Sequence, residues 1–202
     1  MNSSGIIGVF GGSFDPPHLG HAEIVRSFWE NFPEANELLI VPNHVSPWKQ
    51  NKKTSSEEIL TLVKVQFEGF PKTRIWDWEI RRERPSYTEE TVLELLRSTP
   101  NAKLSLLIGE DNYSEFHKWK NWENILNKIH SLLVFKRFSN SIPENPDLKE
   151  YRNKIFFLNN RIVEAASTDL RETLSGSISD QRKPIALSEE VWKIILKNRS
   201  YA

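Results

Sequence analysis

The sequence predicts an α/β protein with a doubly wound, mostly parallel sheet and helices on both faces. Short apolar runs alternate with amphipathic stretches along most of the chain, and this alternation is typical of βα units. The first apolar run leads into a glycine turn and then into helix-like sequence. The 202 residues suffice for a sizeable core, so we expect one domain over residues 1–202.

The N-terminal part supplies three predicted strands and a helix. The first strand is predicted at Ile6–Phe10, an apolar run that stops at two glycines, and the second at Glu37–Pro42, where proline ends it. A capping sequence at 55–58, Ser-Ser-Glu-Glu, begins a helix that runs to about Phe67. The third strand is predicted at Thr73–Ile80.

The remaining part of the chain continues the alternation. A helix is predicted at Tyr87–Leu96, and the apolar run Leu104–Gly109 predicts a buried strand. Two more strands are predicted at Ser131–Phe135 and Lys154–Leu158. The polar, proline-containing segment between them, Ser139–Lys149, is expected to be a surface connection. The last predicted elements are two helices, Thr168–Leu174 and Ser188–Lys197.

Composition excludes several classes of protein. Lys plus Arg number 27 and Asp plus Glu also number 27, so no overall positive charge would attract nucleic acid. No apolar run is long enough to span a bilayer, and the N-terminus lacks the pattern of a secretory signal. The chain has no cysteine, which fits a reducing compartment. We therefore expect a cytoplasmic protein that binds small anions rather than nucleic acid or membrane, and a homo-oligomer stays open.

The most informative segment is 11–21, Gly-Gly-Ser-Phe-Asp-Pro-Pro-His-Leu-Gly-His, which follows the first strand. Glycines let the backbone approach an anion, and the N–H groups and dipole of a helix N-terminus favour negative charge. His18 and His21 stand about one helical turn apart, so both imidazoles can face the same anion. Asp15 precedes proline and can either fix the turn or contact a substrate, whereas Phe14 is expected to pack. This arrangement predicts a phosphate site.

The predicted topology brings other segments to the same place. In an open parallel sheet, ligands bind beyond the carboxyl ends of the strands. The loops that should share one cleft are those after Phe10, Pro42, Ile80, Ile108 and Leu158.

The predicted helix near residue 167 adds further donors for an anion. Ser167 and Thr168 can offer hydroxyl and N–H groups to the β- and γ-phosphates of a nucleotide, and Arg171 follows one turn later. An ordinary N-cap is the alternative interpretation of this segment. The scattered histidines, with no cysteine, predict no zinc site and no other dedicated metal site.

Five segments together resemble one family of enzymes. The spacing Gly-x-Phe-Asp-Pro-x-His-x-Gly-His at 12–21 resembles the signature of the His-x-Gly-His nucleotidyltransferases. In order along the chain follow Glu79–Thr88, Ile108–Asp111, Trp119–Ile125 and Ala166–Arg171. Together they resemble the bacterial nicotinate-nucleotide adenylyltransferases over almost the whole chain. The resemblance implies a Rossmann-like fold and transfer of AMP from ATP to nicotinate mononucleotide, which gives deamido-NAD and pyrophosphate.

The motifs and the resemblance together assign roles to particular residues. Catalysis is assigned to His18, His21 and Arg171. ATP binding is assigned to Gly11, Gly12, Ser13, Phe14, Lys49, Gly109, Asp111, Ser167 and Thr168, with the C-terminal helices from about residue 167 completing that site. Binding of nicotinate mononucleotide is assigned to Asp15, Asn43, Thr88, Trp119, Lys120 and Arg137. The resemblance implies that Trp119 stacks on the pyridine ring and that N–H groups near Thr88 and Lys120 receive the carboxylate.

The chain departs from the family pattern at three places. Ala166 stands where the family has a first Ser, which removes one hydroxyl, and Leu170 replaces Ile. Trp48 replaces a His that precedes Lys49. The single N–H of its indole ring cannot replace the two ring nitrogens of a histidine at a phosphate. The dipeptide Phe138-Ser139 replaces Pro-Gly after Arg137, so we expect that loop to differ in shape.

The residues also indicate the chemistry. The phosphate of the acceptor is already an anion at neutral pH, so it can attack the α-phosphorus of ATP without a general base. His18 and His21 would donate hydrogen bonds to phosphate oxygens and to the leaving pyrophosphate. We expect no covalent intermediate. The resemblance implies Mg²⁺, held mainly by the phosphates of ATP.

Two alternatives stay open from the sequence. The first is nicotinamide mononucleotide as the acceptor, alone or beside the acid, although backbone N–H donors favour a carboxylate. The second is a nucleotide-binding module without turnover, against which the intact His18, His21 and Arg171 argue.

Overall fold

The structure is a computed structural model that describes residues 5–44, 54–137, 142–177 and 182–201. Within these ranges the strands are β1 (Ile6–Gly12), β2 (Glu37–Pro42), β3 (Thr73–Ile75), β4 (Lys103–Gly109), β5 (Ser131–Phe135) and β6 (Ile155–Phe157). The helices are α1 (Leu19–Asn31), α2 (Ser56–Phe67), α3 (Trp78–Arg81), α4 (Thr88–Ser98), α5 (Glu110–Ser114), α6 (Trp122–Lys128), α7 (Ser167–Ser177) and α8 (Glu189–Asn198). No helix in these ranges is long and apolar enough to cross a membrane.

The strands form one parallel sheet in the order β3-β2-β1-β4-β5-β6. The chain therefore moves outward from β1 in one direction and then outward from β4 in the other. Pairing sets Val9 of β1 beside Leu39 of β2 and Leu106 of β4. Because the direction reverses between β1 and β4, a crevice opens beyond their carboxyl ends, at Gly12 and Gly109. The predicted fold class is confirmed.

Neighbouring residues of each strand are buried on opposite faces of the sheet. On one face, Val9, Leu39 and Leu106 pack with α4, α5 and α6. On the other face, Phe10 and Leu107 pack with α1 and α2. Because helices cover both faces, the central strands are apolar at most positions.

A third apolar cluster joins the C-terminal helices to the rest of the molecule. Leu62 of α2 packs against Leu170 and Leu174 of α7 and against Val191 and Ile195 of α8. The opposite side of α2 packs in the cluster that lies on the sheet. Thus α2 lies between the sheet and the C-terminal helices and determines where these helices sit.

Several predicted elements have the predicted bounds. β2 and β5 agree residue for residue. α2 begins after Ser55, whose hydroxyl accepts a hydrogen bond from the N–H of Glu58 at 3.2 Å, as the capping sequence predicts. α4 begins at Thr88, inside the predicted helix. Local signals were sufficient for these elements.

The third strand is shorter than predicted. β3 ends at Ile75, and Trp78–Arg81 form α3, so the prediction of a strand to Ile80 was wrong. β3 is an edge strand that pairs only with β2, and the N–H of Trp76 makes the last bond to that strand, 2.8 Å from the carbonyl oxygen of Ile40. Beyond this point the described residues form no further pair with β2, although that strand runs on to Pro42, and Ile80 is buried from a helical turn instead.

Two other segments differ from the sequence prediction. The sequence assigned no element between β4 and β5, where the structure has α5, a 3₁₀ turn at Phe116–Lys118, and α6. The predicted surface connection Ser139–Lys149 includes the start of a 3₁₀ helix, Pro146–Lys154, in which Leu148 is buried. Residues 139–141 of that connection lie outside the described ranges.

Gly8 lets α1 lie close to the sheet, so we expect Gly8→Ala to destabilise the fold. A Cβ at Gly8 would lie 2.7 Å from Cδ1 of Leu38 and 2.7 Å from Cζ of Phe28, and both side chains are fully buried. The free energy of unfolding in urea should fall by about 1 to 3 kcal/mol. Gly69→Ala is the matched control, because a Cβ at Gly69 meets nothing within 4 Å. Equal stability of the two variants would contradict this account.

Candidate active site

The segment after β1 is shaped by the packing of Phe14. Its backbone has a φ of 47°, and its ring is 1% exposed and packs edge-to-face against Phe10 and Phe67. A Cβ at Gly12 would lie 3.1 Å from this ring. The Phe14 side chain therefore packs, as predicted, and only its backbone can face a nucleotide.

His18 and His21 are held as one unit at the start of α1. His18 is the extended N-cap of the helix, and its backbone N–H donates to Nδ1 of His21 at 3.2 Å. The two rings stack with their centroids 3.7 Å apart. Because Nδ1 of His21 accepts this bond, the ring proton is assigned to Nε2, which is thereby a donor.

The His18 ring is buried without a hydrogen-bond partner. It is 2% exposed, and neither ring nitrogen has a partner among the described residues. Burial, and then the charge of Arg137, lower its pKa to about 3, so the imidazole is neutral at pH 7. Unsatisfied buried polar groups are rare in native proteins and are characteristic of functional sites. This imidazole is therefore a candidate ligand-binding group.

Gly20 is required for the position of the His18 ring. A Cβ at Gly20 would lie 3.0 Å from Cε1 and from Nδ1 of His18, and 3.6 Å from the Cβ of Ala165. At the same helix terminus, the N–H of Leu19 donates to the carbonyl of Ala186 at 2.8 Å. The N–H of this first helical residue is therefore used within the protein, because the chain before α8 closes over it.

The start of α7 is fastened to the turn before His18. Arg171 donates to the carbonyl of Asp15 at 2.6 Å and to the hydroxyl of Thr168 at 3.1 Å. Ser167 donates its hydroxyl to the carbonyl of Pro16 at 3.0 Å. The hydroxyl proton of Ser167 is thus already used, whereas Thr168 accepts from Arg171 and keeps its own proton for a ligand. The structure brings the predicted residues of this segment to the first motif.

Asp15 is held from two sides. It is 6% exposed, its carboxylate accepts from the hydroxyl of Tyr201 at 2.7 Å, and its carbonyl accepts from Arg171. These contacts are those of a residue that fixes the turn, one of the two interpretations given by the sequence. Contact between Asp15 and a substrate stays a prediction.

Across the crevice, Asp111 and Arg137 form an ion pair. Nη1 of Arg137 lies 2.9 Å from Oδ2 of Asp111. Gly109 makes room for the pair, because a Cβ there would lie 2.4 Å from Oδ1 of Asp111 and 2.9 Å from Cδ of Arg137. Arg137, predicted to bind nicotinate mononucleotide, therefore lies with Asp111, which was predicted to bind ATP. The charge of Arg137 also reaches His18.

Asn160 is a supporting residue that the sequence analysis missed. Its side-chain amide donates to the carbonyl of Lys136 at 2.9 Å and accepts from the N–H of Lys136 at 2.8 Å. These two bonds fix the backbone immediately before Arg137. Nothing in the local sequence marks this asparagine, since its partner lies 24 residues away.

The residues predicted to bind the pyridine ring lie around the start of α4. Lys120 places its ammonium 4.4 Å from the centroid of the Tyr87 ring, and Glu89 accepts hydrogen bonds from Asn121 and from Asn124. These contacts join the start of α4, which is Thr88, to the segment that follows Trp119. The side chain of Tyr87, the N-cap, makes no capping bond, so the first N–H groups of α4 are open to a ligand.

Trp119 is partly buried at this place. Its ring packs at a tilt of 32° on Phe116, with the centroids 4.8 Å apart, and borders the cluster on the α4 face of the sheet. Packing on one side leaves the ring fixed in orientation, which suits a stacking surface. Lys120 thus lies against Tyr87, the residue before Thr88, and Trp119 is its neighbour in the chain. Their binding of a pyridine nucleotide stays a prediction.

Three other predicted site residues lie at the edge of the crevice. The N–H of Asn43 donates to the carbonyl of Gly12 at 3.0 Å, which places it at the edge of the crevice. Gly11 and Ser13 lie at the same edge, beside the end of β1. Lys49, with Trp48 before it, and Phe138-Ser139 lie outside the described residues.

We expect His18 to stay neutral well below pH 6.5. Because its pKa in the native state is about 3, below the ordinary value of 6.5, the unfolded chain binds a proton between these values that the native protein does not. Stability is therefore full above about pH 6.5 and is lost as pH falls, by at most about 1.4 kcal/mol per pH unit.

The measurements are ¹⁵N NMR of the ring nitrogens at pH 5 and urea unfolding between pH 6.5 and 4.5. His18→Gln should lose less stability over that interval than the wild type. An NMR titration midpoint near 6.5 would contradict the expectation.

Comparison with known proteins gives relatives along the whole chain. Residues 9–173 match the family described as cytidylyltransferase-like. A Leptospira interrogans protein named "probable nicotinate-nucleotide adenylyltransferase" is 45% identical over 206 residues, covering all of both chains. An Aquifex aeolicus protein of the same name is 36% identical over 80% of this chain and 98% of its own.

A solved structure shares the fold. The Plasmodium falciparum nicotinic acid mononucleotide adenylyltransferase complexed with NaAD has a TM-score of 0.76 at 16% identity, covering 98% of this chain and 97% of its own. On the evidence of the full-length relatives, the chain belongs to the cytidylyltransferase-like family and to the nicotinate-nucleotide adenylyltransferases.

Proposed function

We propose that the chain transfers the adenylyl group of ATP to nicotinate mononucleotide, forming nicotinate adenine dinucleotide and pyrophosphate. The observation that carries this proposal is the buried, neutral His18 imidazole that has no partner among the described residues and stacks on His21 at the start of α1. The names of the full-length relatives give the same reaction. The absence of cysteine fits our further proposal that the reaction takes place in the cytoplasm.

The reaction needs positioned donors more than a base. A phosphate oxygen of nicotinate mononucleotide attacks the α-phosphorus of ATP. The bond from that phosphorus to the oxygen that bridges the α- and β-phosphorus atoms breaks. The bridging oxygen leaves with the electron pair as part of pyrophosphate. Nε2–H of His21 and one N–H of His18 would donate to oxygens on which charge collects. Because both rings are fixed before the substrate arrives, little reorganisation is needed.

The nucleotide would lie across the crevice between β1 and β4. The backbone of Gly11, Gly12, Ser13 and Phe14 and the N-terminus of α1 would face its phosphates. Thr168, the N–H of Ser167, and Arg171 would contact the β- and γ-phosphates from α7, so the C-terminal helices complete the ATP site within a single domain. Asp111 would accept from the ribose hydroxyls beside Gly109, and Lys49 would contact the triphosphate.

The acceptor would lie at the start of α4. Trp119 would stack on the pyridine ring, and the N–H groups of Thr88 and Lys120 would donate to its carboxylate. A carboxamide would turn its NH₂ toward one of these donors, so the acid is favoured over the amide. Asn43 and Asp15 would border the phosphate of this substrate. Arg137, because it pairs with Asp111, would lie between the two nucleotides.

Mg²⁺ would accompany ATP. No three His, Asp or Glu side chains in the described ranges are grouped so as to hold a metal ion, so the triphosphate oxygens would be its main ligands. The ion, when bound, supplies charge screening to the triphosphate and the leaving pyrophosphate. The donors of α1 and α7 would bind the oxygens that the ion leaves free.

The decisive experiment compares acceptors. Pyrophosphate release from ATP and Mg²⁺ is measured with nicotinate mononucleotide, nicotinamide mononucleotide and phosphopantetheine at equal concentrations. We expect a strong preference for the first. Equal use of the first two would mean that the N–H donors assigned to the substrate carboxylate at α4 are misassigned. ATP binding without pyrophosphate release with any acceptor would favour a nucleotide-binding module without turnover.

His21→Ala should reduce kcat about 100- to 1,000-fold, because it removes a preorganised donor to the transition state. The KM for ATP should change much less, since the other phosphate contacts remain. Steady-state pyrophosphate release and the melting temperature are measured together. A kcat within tenfold of the wild type would refute the proposed role of this imidazole.

Trp119→Ala serves as the matched contrast. The loss of a stacking surface should raise the KM for nicotinate mononucleotide and leave the KM for ATP within about twofold. If both variants changed the same kinetic constant, the division of the site into an ATP side and a pyridine side would be wrong.

A further inference from the structure

Tyr201 reaches the catalytic segment from the far end of the chain. Its hydroxyl donates to Oδ1 of Asp15 at 2.7 Å, across a separation of 186 residues. Asp15 lies three residues before His18 and is 6% exposed. A buried carboxylate needs hydrogen-bond donors, because leaving it unpaired costs most of its solvation. Tyr201 supplies such a donor to the turn that leads into α1.

The turn that carries Tyr201 is anchored on α2. Helix α8 ends at Asn198. Its C-cap, Arg199, has a φ of 53° and Tyr201 has a φ of 70°, so two non-glycine residues of this turn adopt the left-handed conformation. The side chain of Asn198 donates to Glu58 at 3.3 Å, and the hydroxyl of Ser200 donates to the same carboxylate. These contacts hold an otherwise unfavourable backbone and aim the phenol at Asp15.

The phenol is kept as a donor by its surroundings. Burial, and then the negative charge of Asp15, raise the pKa of Tyr201 above its ordinary value, so the hydroxyl stays protonated. Thr54, which is 7% exposed, lies beside the Tyr201 side chain. Tyr201 thus links the turn before α1 with the residue just before the N-cap of α2.

We infer that Tyr201 is a positioning residue for adenylyl transfer. It holds the carboxylate of Asp15 while Arg171 holds the carbonyl of the same residue, and together they fix the turn from which His18 begins α1. The inference rests on the proposed function for its effect on turnover. A shift of about 1 Å at such a site can cost on the order of 100-fold in rate, so a partial relaxation of the turn lowers kcat.

The test is Tyr201→Phe, which keeps the ring and removes the donor. We expect kcat to fall about tenfold, with both KM values within about twofold and a melting temperature only a few degrees lower. Ile195→Val is the matched control. It removes one methyl group from a fully buried side chain of α8, the helix that precedes Tyr201. It should lower the melting temperature similarly and leave kcat unchanged.

The effect should pass through Asp15. In an Asp15→Ala background, Tyr201→Phe should change kcat by less than about twofold, as expected for two residues that act as one unit. A kcat for Tyr201→Phe within twofold of the wild type, an equal loss in Ile195→Val, or independent effects of the two substitutions would each overturn the inference.

A measurement without turnover separates this inference from the proposed function. In the free protein, Tyr201→Phe should shift the ring NMR signals of His18 and His21, assigned from His→Gln variants, and Ile195→Val should not. Shifted signals in a protein that releases no pyrophosphate would sink the proposed function and keep the positioning role. Unshifted signals in an active protein would sink the positioning role alone.

Discussion

The pairing of β1 with β2 on one side and with β4 on the other positions the functional groups of this chain. Parallel pairing brings the carboxyl ends of these strands to one edge, and the reversal of direction between β1 and β4 leaves that edge open. Helix α1 packs against β1 through Phe28. This contact requires a glycine at position 8, because a Cβ there would lie too close to the Phe28 ring. The sheet and the helix that packs on it therefore bring His18 to this edge, and hydrogen bonds from Arg171 and Tyr201 hold the turn between them.

The fold could be predicted from the sequence where the signals are local. The cap at Ser55 and the apolar run of β5 each contain their own start and end, so their bounds agree with the structure. The end of β3 could not be predicted. Trp76, Trp78 and Ile80 alternate as in a strand, but the pairing of the described residues with β2 ends at Ile75 and the chain turns into α3. The local pattern does not contain the point at which the pairing of two strands ends.

In the candidate site, too, the sequence predicts the features that depend on neighbouring residues and not those that depend on distant ones. His18 and His21 are close in sequence, so their spacing alone predicts their shared helix terminus. Their supports come from far along the chain. Ser167 reaches Pro16 across 151 residues, and no spacing rule connects such positions. The burial that makes the His18 imidazole neutral is likewise a property of the packed molecule, together with the Arg137 charge that lies near it.

The contacts from α7 and the C-terminal turn have a consequence for synthesis on the ribosome. At roughly 5 to 20 residues per second, the turn before α1 is made on the order of ten seconds before Arg171 and Tyr201 exist. During that interval Asp15, nearly fully buried in the finished protein, lacks the partners that fix it. A nascent chain therefore carries the histidine motif before α7 and the C-terminal turn can hold the segment that leads into it.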